Sequence, residues 1–167
     1  MSVPLAHSFD WLAKSDAKLL IVGSMPGIAS LQQQQYYAHP RNAFWPIMQH
    51  IFGWSEMTYT ERCQALVNEK IALWDVLRHC RRRGSLDSAI ERDTIAINDF
   101  DALFKFAPNI TTVCTNGGKA NQLFKRHVQL AKHISIKVLP STSPAYAAMS
   151  FDNKLAHWHS IITKSLS

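Results

Sequence analysis

Cysteine is scarce in this chain, and the few that occur are not spaced like a disulfide framework or a metal site. The 167 residues include 3 cysteines, Cys63, Cys80 and Cys114, which stand far apart and form no CxxC pair. Disulfide-rich domains and structural zinc sites need cysteines in even numbers or in close pairs. Both classes are therefore excluded, and we expect three reduced thiols that pack inside a cytoplasmic protein.

Long apolar runs and metal-ligand patterns are also missing. No hydrophobic run approaches the ~20 residues that cross a bilayer, and the N-terminus shows no signal-peptide pattern. His157 and His159 lack the i, i+4 spacing of a helical metal pair, and the other histidines form no ligand pattern. We expect a cytoplasmic protein, associated with the nucleoid if its source is bacterial, that uses no metal or cofactor and contacts no membrane.

Acidic residues are fewer than basic ones. The chain has 18 Lys and Arg against 12 Asp and Glu, which gives a net charge of +6. This excess favours a polyanionic partner, because cationic side chains neutralise phosphates and release counterions. Many basic proteins bind no nucleic acid, so the charge indicates a class of partner and does not identify one.

The composition is that of one globular domain. Hydrophobic residues make up 47% and charged residues 18% of the sequence, and no repeat or linker divides it. A chain of this length can bury about two-thirds of its unfolded surface around a single core. We therefore predict one domain over residues 1–167.

Apolar, partly β-branched runs alternate with segments of helical spacing along the chain. Strands are predicted at residues 18–22, 71–76, 110–114 and 134–139, and helices at about 44–52, 59–69, 99–106, 119–129 and 153–166. This alternation requires right-handed crossovers and a parallel sheet covered on both faces. The predicted fold is α/β, a three-layer α/β/α sandwich around a central four-stranded parallel sheet.

Small and polar residues follow each predicted strand. Ligands of parallel sheets bind in the crevice outside the carboxyl ends of the strands, so these residues are candidates for a binding site. They are Gly23, Ser24, Met25, Pro26 and Gly27 after the first strand, Asp75 near the end of the second, Asn116 and Lys119 after the third, and Pro140, Ser141, Thr142 and Ser143 after the fourth. Such residues suit a polar ligand that carries phosphate.

Known phosphate-loop and hydrolase motifs do not account for these residues. Gly23 and Gly27 allow backbone amides to approach a ligand, although a tight strand-to-helix turn explains them as well. The segment is not GxGxxG, and Lys119 is not in a Walker loop, since Val113 and Ala120 stand where that motif needs Gly and Ser or Thr. The absence of GxSxG argues against an α/β hydrolase.

The sequence YYAHPRNAFW at residues 36–45 combines aromatic rings, a cation and a carboxamide. Aromatic rings stack on unpaired bases, Arg41 can meet a phosphate, and Asn42 can hydrogen-bond a base edge or a water. Phe44 and Trp45 also fit as core residues at a helix start. Asn42 fits a helix cap equally well, so capping and function both stay open.

Together these segments resemble the motifs of the uracil-DNA glycosylase superfamily. Residues 23–27 and 38–45 resemble its first motif region, as found in mismatch-specific and thymine-type glycosylases, and LPSTS at 139–143 resembles its second. LWDV at 73–76 and NGGKA at 116–120 match in the same order, so the resemblance spans about residues 18–160. The resemblance implies a uracil-DNA glycosylase-like fold. It also implies that the partner is double-stranded DNA containing a deaminated base and that the protein binds it as a monomer.

In two departures from the usual motifs, this chain is similar to the hypoxanthine-DNA glycosylase branch. Most uracil glycosylases have an activating Asn or Asp where this chain has Ser24 and Met25, and many have His or Asn where it has Leu139. In the hypoxanthine branch the Asn of the HPRN block, here Asn42, is held to be the principal catalytic residue. The resemblance implies a monofunctional enzyme that hydrolyses the N-glycosidic bond of hypoxanthine in base excision repair.

The predicted site follows from the motifs and the resemblance. Asn42 is the predicted catalytic residue, and the resemblance places Tyr37 where an aromatic ring stacks on the extruded base. The predicted base-binding residues are Gly23, Ser24, Met25, Tyr37, Asp75 and Asn116. The predicted DNA contacts are Pro26, Gly27, His39, Arg41, Lys119, Pro140, Ser141, Thr142 and Ser143.

Other interpretations of these residues stay open. Asp75 has a structural role as readily as a base-reading one, and Arg81, Arg82 and Arg83 form either a phosphate contact or a solvated loop. The main substrate could instead be uracil, including uracil in G:U mismatches. The missing acid in the first motif also allows a catalytically inactive DNA-binding relative.

Overall fold

The computed structural model describes residues 3–167, which form two sheets and six α-helices. In chain order the elements are β1 (Leu5–His7), β2 (Leu19–Gly23), α1 (Ile28–Gln33), α2 (Phe44–Phe52), α3 (Tyr59–Asn68), β3 (Ile71–Asp75), β4 (Leu77–Arg81), β5 (Ala96–Ile97), α4 (Phe100–Phe106), β6 (Thr112–Asn116), α5 (Gly118–His127), β7 (Ser135–Leu139) and α6 (Phe151–Leu166). Two 3₁₀ turns, Asp87–Ala89 and Arg92–Thr94, lie between β4 and β5.

The central sheet is parallel and has the strand order β3-β2-β6-β7. In β2, Leu20 and Val22 belong to one hydrophobic cluster and Leu19 and Ile21 to another, and all four side chains are fully buried. A strand buried on both faces is a continuous apolar run because neither face alternates with solvent. The predicted four-stranded parallel sheet is confirmed.

Helices cover both faces of this sheet. On one side Phe44 of α2 and Trp158 of α6 pack against the β2 side chains Leu19 and Ile21. On the other side the cluster of Leu20 and Val22 includes side chains of α4 and α5, among them Phe124. The predicted three-layer α/β/α sandwich is therefore confirmed.

Local capping sets the limits of the helices. α2 spans the predicted residues 44–52 and ends where Gly53 takes a left-handed conformation with φ 68°. The Thr58 hydroxyl accepts a bond from the Glu61 amide at 3.2 Å, and the Glu61 carboxylate accepts one from the Thr58 amide at 3.0 Å, which starts α3. The Ser150 hydroxyl accepts a bond from the Asn153 amide at 3.2 Å, and α6 begins at Phe151, two residues before the predicted start.

The second sheet and the short helix α1 were not predicted from the sequence. In this sheet β4 lies between β1 and β5 and pairs with both in the antiparallel direction. β4 follows β3 after Val76 alone, so no turn residue marks the boundary. β1 and β5 have three and two residues, which is too short for a period-two pattern to be read.

Both interpretations of the arginine run were wrong for its middle residue. Arg82 is buried, with 6% of its surface exposed. Its guanidinium donates to the backbone oxygens of Pro26 and, at 2.9 Å, Gly84. Arg81 lies in β4 and donates to the Val3 oxygen, and Arg83 is exposed. Arg82 therefore supports the turn after β2 and is neither a solvated residue nor a phosphate contact.

Candidate active site

A cleft of about 380 Å³ opens at the carboxyl ends of the parallel strands. β2, β3 and β6 contribute their last residues, Gly23, Asp75 and Asn116, because the ends of parallel strands meet at one edge of a sheet. Tyr37 and Asn42, from the loop between α1 and α2, form a further wall, and the loop after β7 completes the cleft. Strand ends that are far apart in sequence are thereby brought around one cavity.

The floor of the cleft depends on the absence of a side chain at Gly23. Gly23 of β2 pairs with Asp75 of the neighbouring edge strand β3. A Cβ atom at Gly23 would lie 2.5 Å from the Asp75 Oδ1 and 3.0 Å from the Tyr37 hydroxyl oxygen. The glycine is therefore required for the Asp75 carboxyl group and the Tyr37 hydroxyl to occupy these positions at the bottom of the cleft.

Asp75 is a buried carboxyl group with an unsatisfied oxygen. Its exposed fraction is 4%, and its Oδ2 has no hydrogen-bond partner within residues 3–167. Burial, and next the negative charge of Asp87, raise its pKa to about 7, while Arg82 acts in the opposite direction. The carboxyl group is thus close to its titration point at neutral pH, and a ligand with a hydrogen-bond donor would satisfy it.

Replacing Asp75 by Asn removes this ionisation and should change how stability depends on pH. Because the folded pKa, about 7, lies above the ordinary value of 3.8, the carboxyl group contributes stability fully below about pH 4 and loses that contribution as the pH rises to about 7. We expect Asp75→Asn to raise the free energy of unfolding at about pH 8 by a few kcal/mol more than at about pH 4. Urea denaturation at the two pH values checks this, and an equal difference at both would contradict it.

Tyr37 is held in an unusual backbone conformation beside this carboxyl group. Its φ of 54° lies in the left-handed region, which costs energy for a residue with a bulky side chain. Its ring stacks on Phe44, with centroids 4.3 Å apart and planes at 25°. Its hydroxyl is buried without a partner among the described residues, and burial and then Asp75 raise its pKa. The strained backbone aims a polar group at the floor of the cleft.

The Asn42 side chain makes a hydrogen bond at the start of α2 and also lines the cleft, and its catalytic role remains a prediction. Its Oδ1 accepts a hydrogen bond from the Phe44 amide at 3.0 Å, at the start of α2, and the residue also lines the cleft. Since this bond fixes the side-chain oxygen, the Nδ2 group, which has no protein partner in the described part of the chain, is left to donate. Asn42 is therefore an oriented hydrogen-bond donor at the wall of the cleft.

Thr142 connects the wall that carries Asn42 to the end of β6. Its hydroxyl oxygen accepts a bond from the Asn116 Nδ2 at 2.9 Å, and its amide donates to the Asn116 Oδ1 at 2.9 Å. Its carbonyl oxygen accepts from the Ala43 amide at 3.0 Å. Thr142 is 1% exposed, so its side chain positions the loops around the cleft, and contact between that side chain and DNA remains a prediction.

The segment after β4 forms a further wall of the cleft, and its residues were not predicted from the sequence. Asp87 accepts a hydrogen bond from the Ser24 hydroxyl at 2.7 Å and lies 3.9 Å from the Arg82 guanidinium. The Ser85 hydroxyl oxygen accepts from the Ile28 amide at 2.9 Å. These contacts attach the segment after β4 to the turn after β2. No motif marks Asp87 or Ser85, and the arginine run was the one sequence signal for this wall.

Comparison with known proteins shows the family to which this chain belongs. Residues 9–164 match the model of the uracil DNA glycosylase superfamily. The chain belongs to the uracil-DNA glycosylase superfamily. A Methanosarcina acetivorans protein named hypoxanthine DNA glycosylase is 33% identical over 94% of this chain and 98% of its own length. A protein of the same name from Methanosarcina barkeri is 36% identical over 83% of this chain and 87% of its own length.

A solved structure of this superfamily has the same fold as the chain. It is the solution NMR structure of a Methanosarcina acetivorans protein studied as a candidate uracil DNA glycosylase. It is 31% identical, covers 98% of this chain and 100% of its own, and superposes with a TM-score of 0.80. The predicted uracil-DNA glycosylase-like fold is confirmed.

This superfamily member brings most of the predicted site residues into the one cleft. The predicted catalytic residue and all the predicted base-binding residues line it: Asn42, Gly23, Ser24, Met25, Tyr37, Asp75 and Asn116. So do five of the predicted DNA contacts, Gly27, His39, Ser141, Thr142 and Ser143. Pro26, Arg41, Lys119 and Pro140 do not line it; Pro26 is buried, Arg41 is exposed, and Lys119 faces a separate pocket. The roles of all these residues remain predictions.

Residues 3–167 lack two further features, a metal-ligand cluster and a membrane-spanning helix. They contain no group of three or more His, Cys, Asp or Glu side chains placed to hold a metal ion. They also contain no helix that is both long enough and apolar enough to cross a membrane.

Proposed function

We propose that this superfamily member is a DNA glycosylase that releases hypoxanthine from deoxyinosine in double-stranded DNA and leaves an abasic site for base excision repair. The observation that carries the proposal is that Asn42 and all six predicted base-binding residues line one cleft at the strand ends. Two relatives that match most of the chain are named hypoxanthine DNA glycosylase, which supports the choice of base.

The base must leave the duplex to reach this cleft. A glycosidic bond inside stacked DNA is not accessible, so glycosylases extrude the target nucleotide at a cost of a few kcal/mol. A deaminated base sits in a weakened pair, which lowers this cost and starts the discrimination. A cleft of about 380 Å³ is in the size range of pockets that enclose a small ligand.

Asp75 is suited to recognise what deamination creates. Adenine has a bare acceptor at N1, whereas hypoxanthine carries N1–H beside the C6 carbonyl. The buried Oδ2 of Asp75, which lacks a partner in residues 3–167, accepts a hydrogen bond from such an N–H group. Uracil presents the same N–H beside a carbonyl, while cytosine does not. This chemistry distinguishes each deaminated base from its parent base and makes uracil the second candidate substrate. Guanine and thymine also present an N–H beside a carbonyl, so their exclusion depends on other contacts.

Bond cleavage needs stabilisation of two opposite charges. As the C1′–N bond breaks, the sugar becomes oxocarbenium-like and the departing base gains negative charge. The Nδ2 group of Asn42 and the backbone of residues 23–27 act on the departing base or on the attacking water, while the DNA phosphates favour the cationic sugar. A carboxamide is a poor general base, so Asn42 works by orientation and hydrogen bonding.

The same cleft supports a monofunctional mechanism that uses water as nucleophile. A glycosylase that also cleaves the strand forms a covalent imine through an amine. Among residues 3–167 no lysine lines the cleft. The proposal accordingly has an abasic site as the final product. We also propose that the protein acts as a monomer in the cytoplasm and without a metal ion.

A side-by-side substrate assay tests the proposal. Duplexes with a single deoxyinosine, deoxyuridine or deoxyxanthosine are mixed with excess protein, and the free base is identified by mass spectrometry, with an undamaged duplex as control. We expect hypoxanthine to be released fastest and adenine not to be released. Faster release of uracil would move the substrate to the second candidate. Tight binding without release of any base would contradict the enzymatic proposal and favour an inactive DNA-binding relative.

A further inference from the structure

A second pocket of about 130 Å³ lies between α5 and the segment after β4. Its floor is apolar, with Ile90, Ile95 and Leu123, and its rim carries the cationic groups of Arg92, Lys119 and Arg126 together with His127. Long cationic side chains can cover apolar surface with their stems while their charges stay in water. The pocket therefore presents positive charge around a shallow depression.

The α5 residues of this pocket form one continuous face. Lys119, Leu123, Arg126 and His127 follow the i, i+4, i+7, i+8 spacing that places side chains on one side of a helix. Lys119 to Arg126 spans ~10 Å at 1.5 Å per residue. Lys119 and Arg126 are therefore far enough apart to contact different phosphates of one DNA strand.

This face begins next to the active-site cleft. The segment after β4 separates the two, since Ser85 and Asp87 line the cleft and Ile90 and Ile95 line the pocket. Lys119 is close enough to Asp87 to lower the pKa of that carboxyl group against the larger effect of burial, which raises it. The cationic face therefore begins beside the cleft, across the segment after β4.

The cations of this face lack acidic partners. Within the described residues the one ion pair is between Arg82 and Asp87, so Arg92, Lys119 and Arg126 make none. Glu91 and Asp93 flank Arg92 in the chain but are exposed and do not line the pocket. The negative end of the α5 dipole favours a cation in the last turn, which accounts for Arg126. The positive end disfavours Lys119 in the first turn, and Arg92 lies outside this helix.

We propose that Arg92, Lys119 and Arg126 form a track that binds the phosphate backbone of DNA beside the extruded nucleotide. This rests on the proposed function, and it extends the predicted contact of Lys119 to a surface that reaches across α5 and includes Arg92. The track contacts no base, so it adds affinity and register without sequence preference.

The salt dependence of DNA binding tests the track, with a control on the same helix. Arg92→Gln/Arg126→Gln removes two of its charges, whereas Lys125→Gln removes an exposed charge of α5 that does not line the pocket. Dissociation constants for an undamaged duplex are measured over a range of salt concentrations, and thermal melting checks that the variants are folded. The double variant should lower the slope of log Kd against log salt by about 2, and Lys125→Gln should leave it unchanged.

Phosphate-ethylation interference then locates the contact. With the wild type, ethylation of the track phosphates should weaken binding, and with the double variant this effect should disappear. Equal salt slopes for the double variant and Lys125→Gln would overturn the proposal. Base release is measured separately, so a wild type that binds through the track and releases no base would overturn the proposed function while supporting the track.

Discussion

Asn42→Ala should lower the single-turnover rate of hypoxanthine release by ~10²–10³, which is the usual effect of removing one aligned donor from a charge-stabilising site. The reason is the orientation of the side chain. Its oxygen is bound to the Phe44 amide at 3.0 Å, which leaves the Nδ2 group to donate toward the cleft. DNA affinity should change little, because the predicted contacts to phosphates are made by other residues. Rapid quenching with excess protein measures the rate.

Asn42→Asp separates the donor from the hydrogen bond that the side-chain oxygen accepts from the Phe44 amide at the start of α2. The aspartate keeps an oxygen for the Phe44 amide, so its stability should match the wild type, whereas Asn42→Ala should lose about 1 kcal/mol. Because Asp at neutral pH donates no hydrogen bond, both variants should be slow. A wild-type rate in Asn42→Asp would remove the donor from the mechanism, and a wild-type rate in Asn42→Ala would remove the residue altogether.

Gly23→Ala should impair both stability and base release. The added Cβ would lie 2.5 Å from the Asp75 Oδ1 and 3.0 Å from the Tyr37 hydroxyl oxygen, so both groups at the floor of the cleft would have to shift. Overpacking of this kind costs about 1–3 kcal/mol. A displacement of ~1 Å at a reacting centre costs about 10² in rate, so release should fall by at least that factor.

Gly118→Ala is the matched control for this substitution. Gly118 is the first residue of α5, its φ is not positive, and a Cβ there would have no atom within 4 Å. This variant should be as stable and as active as the wild type, because alanine is favoured over glycine in a helix. Urea denaturation and base release are measured on both variants. Wild-type behaviour of Gly23→Ala would contradict the described floor of the cleft.

The parallel sheet was predictable from the sequence mainly because its strands β2 and β3 are buried on both faces. Residues 19–22 and 71–74 are continuous apolar runs, and no solvent-facing position interrupts them. The antiparallel sheet was not predictable in the same way, since β5 has two residues and β4 follows β3 without a turn. Those strands depend on pairing with distant parts of the chain, which no local pattern reveals.

The site was predictable in its location and less so in its chemistry. The rule that ligands bind at the ends of parallel strands selected Gly23, Asp75 and Asn116 from the sequence. The sequence could not tell that the Asn42 oxygen is already bound, or that Arg82 is buried under the turn after β2. Such facts depend on side-chain directions and on partners many residues away.

The most direct test is whether the purified protein, in the presence of EDTA, releases free hypoxanthine from a duplex with a single deoxyinosine. The account predicts release of the intact base, an abasic site in an uncut strand, and loss of this activity in Asn42→Ala. Binding of the duplex without any released base, or release that Asn42→Ala leaves at the wild-type rate, would contradict it.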